Sequence, residues 1–225
     1  MNGDAILYGI SVWAIPVILA ITFHEAAHGF VAHKLGDDTA FRLGRVSANP
    51  LRHIDPFGTI LLPALLLLTR SPFLFGYAKP VPVNFGALNN PKRDMIWVAA
   101  AGPAANIVMA FAAGFAAHAL PLLPAGVDRW AAVNLGNMIE INVLLAVFNM
   151  IPLPPLDGGR VAVGLLPRSL AIPFARLERF GMLILIFLLL VLPSINPSLN
   201  LIGRVLVGPA TFLETLIYQL TGHGS

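Results

Sequence analysis

The sequence contains no cysteine. Disulfides and thiolate-bound metal are thereby excluded, and any metal this chain holds must sit on His, Asp or Glu. Charge is scarce too: Asp, Glu, Lys and Arg make up 11% of the 225 residues, against roughly 25% in an ordinary soluble domain. There is no dense basic cluster, which removes nucleic acid as a partner, and the net charge of +3 is what scattered loop arginines give a membrane protein. The N-terminal Met1-Asn2-Gly3-Asp4 lacks the positive region and cleavage pattern of a removable signal peptide, so the first apolar segment is expected to stay in place. Repeats and low-complexity segments are also lacking.

Hydrophobic residues supply 57% of the chain, with mean hydropathy +0.79. The composition therefore indicates an all-α polytopic membrane protein, with the lipid bilayer as its solvent. Several spans leave no room for a separate soluble domain, so residues 1–225 are expected to form a single integral membrane domain.

Apolar runs over 5–34, 95–120, 131–150, 180–192 and 199–220 predict a bundle of about five to six transmembrane helices, with Pro16 bending the first. The run at 57–69 is only about 20 Å long as a helix and is broken by Pro63, so it reads as a short re-entrant segment. Residues 39–47 and 79–85 alternate apolar side chains with others. Together they predict a small membrane-associated β element, with Pro80 and Pro82 suited to an edge strand. Lys34, Arg42, Arg45 and Arg52 follow the first helix while only Asp4 precedes it, so that helix runs from outside to the cytoplasm.

Within the first helix lies His24-Glu25-Ala26-Ala27-His28. Histidines four apart share one helical face, close enough for both imidazoles to bind one tetrahedral zinc ion. Glu25 projects about 100° away, beside the open coordination position, where a carboxylate can take a proton from water. Ionisable groups inside a spanning helix are costly and usually functional, so three within five residues argue against accident.

A third ligand is required, and without cysteine the candidates are Asp157, Glu140 and His53. Topology selects Asp157. The first helix ends inside, the 95–120 helix leaves and the 131–150 helix returns, bringing Asp157 to the level of His24 and His28. A proline-rich run precedes it, in Asn149-Met150-Ile151-Pro152-Leu153-Pro154-Pro155-Leu156-Asp157-Gly158-Gly159. That run breaks the helix and lets Asp157 turn back into the bundle. Asn149 is placed to donate a hydrogen bond to a substrate carbonyl or its oxyanion, although an asparagine there also suits capping of its own helix. His33, His118 and His223 read as interfacial, helix-end and tail residues.

These stretches, with Gly102-Pro103-x-x-Asn106, resemble the site-2 protease family of intramembrane zinc metalloproteases. Asn49 to Gly58 and Tyr77 to Asn84 resemble its compact bacterial branch. The outward loop at 121–129 is too short for the PDZ domains of larger members. The resemblance implies one Zn2+ on His24, His28 and Asp157, with Glu25 and Asn149 as catalytic residues. It further implies hydrolysis of peptide bonds within or next to the transmembrane segment of a protein substrate, in a bacterial inner membrane with the site toward the cytoplasm. An accessory membrane protein and the oligomeric state are not specified. Two alternatives share the same residues: a membrane metal-ion transporter and a catalytically silent membrane chaperone.

Overall fold

The computed structural model describes residues 3–61, 65 and 79–224. Helix α1 (Gly3–Lys34) carries Pro16 in its interior and a row of exposed Leu, Ile and Phe side chains. Such a surface suits lipid rather than water. At its end His33 Nδ1 meets Asp38 Oδ1 at 2.7 Å and the His33 ring stacks on Phe41, with centroids 4.3 Å apart. His33 is thus engaged at the helix end and is no ligand. The His33 hydrogen bond, with Arg42 behind it, holds the Asp38 carboxyl below the usual carboxylate range.

Here the expected β element fails. Thr39–Arg42 is a single helical turn, α2, because the fully buried Asp37 takes hydrogen bonds from the Thr39 N–H and hydroxyl and so opens a turn. Gly44, at φ 64°, then redirects the chain. Among the described residues no strand forms. Three of the four N–H donors of residues 79–84 are taken outside any ladder: Lys79 N–H by His53 O, Val81 N–H by Glu25 and Asn84 N–H by Asp37. Pro80 and Pro82 offer none. Of the expected re-entrant segment, Pro56–Leu61 is a π-helical turn, and most of the remainder lies outside the described residues.

Helix α3 (Pro91–Ala116) starts with proline at its first position, with Asp94 accepting from the Asn90 N–H, and continues as 3₁₀ turns to Leu122. Helix α4 (Val127–Asn149) returns after a tight turn at Gly126, φ 92°. Asn137 donates to Val12 O at 3.0 Å and Trp130 Nε1 to Ser11 Oγ at 3.2 Å, tying α4 to α1. Three short or bent pieces follow: α5 (Asp157–Leu165), α6 (Arg168–Ala175) and α7 (Glu178–Ile195), the last with a π turn at Phe187–Val191. Helix α8 (Leu201–Leu220) closes the bundle, capped by Asn200. Its C-terminal turn seats Thr221 against Gly114, where a Cβ would lie 2.8 Å from the threonine side chain.

Five helices among the described residues are long and apolar enough to cross a membrane: α1, α3 with its extension, α4, α7 and α8. α1, α3 and α4 pack on one another most extensively, and α5 docks on α3. That arrangement places the aspartate of α5 against the histidines of α1.

Candidate metal centre

His24 and His28 lie one turn apart on α1 and meet edge to face, with ring centroids 4.7 Å apart and planes at 83°. Each is oriented from behind by α3. His24 Nδ1 donates to Asn106 Oδ1 at 2.6 Å and His28 Nδ1 donates to Val98 O at 2.7 Å. A carbonyl oxygen only accepts, so in the neutral rings the proton sits on Nδ1 and each Nε2 presents a lone pair. The Asn106 amide has one permitted orientation. Its Nδ2 donates to Ala20 O at 3.2 Å and to Asn142 Oδ1 at 2.8 Å, while Asn142 Nδ2 donates to Met138 O. Both asparagines are fully buried.

Asp157 faces the two lone pairs. Its Oδ2 lies 3.2 Å from His24 Nε2 and 3.3 Å from His28 Nε2, and the two Nε2 atoms are 3.1 Å apart. With both rings neutral in this tautomer, two lone pairs and a carboxylate oxygen this close repel one another unless a cation lies between them. A tetrahedral ion with bonds of 2.0–2.1 Å holds its ligands about 3.3 Å apart, which matches all three edges. Among the described residues this is the one grouping of three or more His, Asp or Glu able to hold a metal. Asp157 Oδ2 is also buried without a hydrogen-bond donor of its own.

Glycines leave the room. A Cβ on Gly102 would sit 2.5 Å from His28 Nε2 and 2.6 Å from His24 Nε2. At the start of α5, a Cβ on Gly158 would lie 2.3 Å from Met150 O and one on Gly159 2.4 Å from Pro154 N. The Gly-Gly pair therefore allows α5 to begin directly on the 150–156 turn and sets Asp157 at its depth.

Glu25 and Asn149 line the same cavity of about 470 Å³ as the two histidines and Asp157. Glu25 Oε2 accepts from the Val81 N–H at 2.7 Å, which pins its carboxylate beside the histidines. Asn149 Nδ2 donates to Leu145 O at 3.0 Å, so it bonds its own helix while lining the cavity. The competing ligand candidates lie elsewhere. Glu140 is exposed on α4, and the buried His53 bonds Ser47 O through Nε2.

The known proteins most informative about this geometry are bacterial. The chain is 37% identical over 182 residues to "Putative zinc metalloprotease YwhC" of Bacillus subtilis (strain 168), covering 77% of this chain and 78% of that protein. The family model described as peptidase family M50 matches residues 125–192, the stretch that holds Asn149 and Asp157.

The chain belongs to peptidase family M50.

Two further members are more distant. "Putative zinc metalloprotease Rip2" is 28% identical over 184 residues in Mycolicibacterium smegmatis (strain ATCC 700084 / mc(2)155) and 27% over 179 residues in Mycobacterium tuberculosis (strain ATCC 25618 / H37Rv). This chain spans 66% of the length of each. No solved structure matches the chain.

His24, Glu25, His28, Asn149 and Asp157 all line one cavity, and Asn106 of the Gly102-Pro103-x-x-Asn106 stretch stands behind His24. The bonds of His28 to the Val98 carbonyl, of Asn106 to Asn142 and of Glu25 to Val81 were not among the expected contacts. A signal was present for Val98 and Asn106: Val98, Gly102 and Asn106 recur every four residues and form one face of α3.

Proposed function

We propose that this protein is a single-domain intramembrane zinc metalloprotease that hydrolyses peptide bonds within or next to the transmembrane segments of membrane proteins. The observation that carries the reading is the triangle of ligand atoms from His24, His28 and Asp157, at tetrahedral spacing inside a bundle of apolar helices. The names of the relatives support zinc as the ion. When bound, zinc supplies Lewis acidity: it polarises a carbonyl and lowers the pKa of water from 15.7 toward about 7.

The remaining chemistry belongs to the chain. Glu25, pinned by Val81, removes a proton from the attacking water and delivers it to the leaving amine. Asn106 and Val98 O hold the imidazoles in the tautomer that leaves Nε2 free. Asn149, at the cavity wall, donates to the substrate carbonyl as charge develops on it. A substrate helix must unwind first, since its carbonyls are otherwise hydrogen-bonded. The 80–85 segment along the cavity offers a wall against which an extended peptide can lie. Arginines on the loops that flank the site, with the bacterial relatives, support a site toward the cytoplasm in a bacterial inner membrane.

The test is cleavage of single-span proteins by the purified chain. Glu25→Gln is expected to retain zinc and lose turnover by at least about 10³-fold. Persistent turnover in that variant would remove Glu25 from the mechanism. Asp157→Ala is expected to lose zinc as well as activity, and full occupancy by elemental analysis would remove it from the ligand set. Neither alternative gains support: a transporter calls for further ionisable groups along a path, and Glu140 is exposed on α4, while intact Glu25 argues against a silent chaperone.

A further inference from the structure

Arg160 is unused by the chemistry above. It lies one turn beyond Asp157 on α5, on the same side of the helix, and lines the same cavity. Its neighbours in that wall include Val81, Val83, Phe85 and Met182, all apolar, and it is the one Lys or Arg among the described residues lining it.

Its contacts are incomplete. Nη2 donates to Glu178 Oε1, at the start of α7, at 3.0 Å, and the guanidinium carbon stands 5.4 Å from the centre of the Phe85 ring. Nε is buried and has no hydrogen-bond partner. Nε and Nη2 form one edge of the guanidinium, the edge that grips a carboxylate through two parallel bonds. Glu178 therefore occupies one prong of a two-pronged site. It is also a weak occupant, with the Arg160 and Glu178 side chains 35% and 46% exposed, a range in which an ion pair contributes little. Glu178 can turn outward to water without leaving a charge buried, which frees Nη2 and leaves the whole Nε–Nη2 edge to another carboxylate.

We propose that Arg160 is a specificity-determining residue that reads a carboxylate side chain on the substrate, a few residues from the cleaved bond. An incoming Asp or Glu displaces Glu178 and takes both prongs, whereas Asn gains less and Lys is repelled. The proposal rests on the proteolytic reading, because it assigns the cavity to a peptide.

The experiment measures binding rather than turnover. The full chain carrying Glu25→Gln, in nanodiscs, is titrated with synthetic single-span peptides in which Asp, Asn or Lys is scanned along the segment. At one position Asp is expected to bind about tenfold tighter than Asn. Arg160→Gln should erase that difference, Glu178→Gln should widen it, and Arg160→Glu should move the preference to Lys. Equal binding of Asp and Asn peptides at every position would overturn the proposal. Arg160→Gln weakening both peptides equally would also overturn it, since that is the behaviour of a merely structural strap. Zinc content and circular dichroism identify variants that fail to fold. If Arg160→Glu is among them, Arg160→Gln and Glu178→Gln decide alone. Cleavage of neutral peptides by the parent chain is scored separately, so failure of the protease reading shows as absent turnover and leaves the binding comparison readable.

Discussion

The two halves of the candidate metal centre are built by different means. On the imidazole side, position comes from side-chain hydrogen bonds: His24 leans on Asn106, Asn106 on Asn142, and His28 on the Val98 carbonyl. On the aspartate side, no donor touches Asp157 Oδ2, and its place follows from backbone contact at Gly158 and Gly159 against the 150–156 turn. The difference matters because an imidazole has two unlike nitrogens and needs a partner to select ring orientation and tautomer, whereas the two oxygens of a carboxylate are equivalent, so the depth at which the backbone sets Asp157 is what matters most.

The sharpest way to break this comparison is to fill the space both halves share. Gly102→Ala should cost zinc affinity roughly a hundredfold or more, because its Cβ would lie within 2.7 Å of ring atoms of both histidines. Gly136→Ala, where a Cβ meets nothing within 4 Å, should leave zinc content unchanged. Next come one variant from each half. Asn106→Ala should weaken zinc by about 10- to 100-fold, with occupancy recovered in excess zinc, because the ligands remain and only their orientation is lost. Gly158→Ala should resist such rescue, since the clash is with backbone at 2.3 Å and displaces the ligand itself. Recovery of both to the same degree, measured by metal titration, would show that the halves do not differ.

A smaller effect is expected one step farther out. Asn142→Ala removes the acceptor for Asn106 Nδ2 and should weaken zinc about threefold, while destabilising the fold by about 1–3 kcal/mol through an unpaired buried amide. The smallest effect lies away from the metal. Asp38 ionises below the usual carboxylate range because His33 and Arg42 favour its charged form. Its contribution is therefore present above the unfolded-state value and is lost as pH falls through the lower folded value. NMR titration of the Asp38 carboxyl, with Asn at His33 as control, should show the depression relieved.

Much of this was legible in the chain, in proportion to how local the controlling contacts are. The histidine pair and Glu25 could be read because spacing on one helix determines who shares a face. The approach of Asp157 to that pair could be read because the order of out-and-back helices determines which end of the bundle a loop reaches. The β element at 39–47 could not. A three-residue alternation is weak evidence, and the buried Asp37 organised that corner as a helical turn by capping Thr39 and holding Asn84. Residues 79–84 kept no ladder for a similar reason, with Glu25, Asp37 and His53 taking three of the four N–H donors in that stretch. His223 was expected in a loose tail, yet its Nε2 lies 3.0 Å from Gly114 O and its ring stacks on His118. That contact joins residues more than a hundred positions apart.

By itself the sequence determined a membrane solvent, oxygen and nitrogen as the only metal donors, and a helix offering two imidazoles and a carboxylate around one face. Only the tertiary structure decided which carbonyl orients each imidazole, that Glu25 is held by the Val81 amide, and that Arg160 stands in the same cavity with half its fork unfilled. The physical reason is one of reference frame. Periodicity specifies angles about a helix's own axis, whereas contacts between helices depend on their relative rotation, depth and crossing, which the packed side chains of all of them settle together.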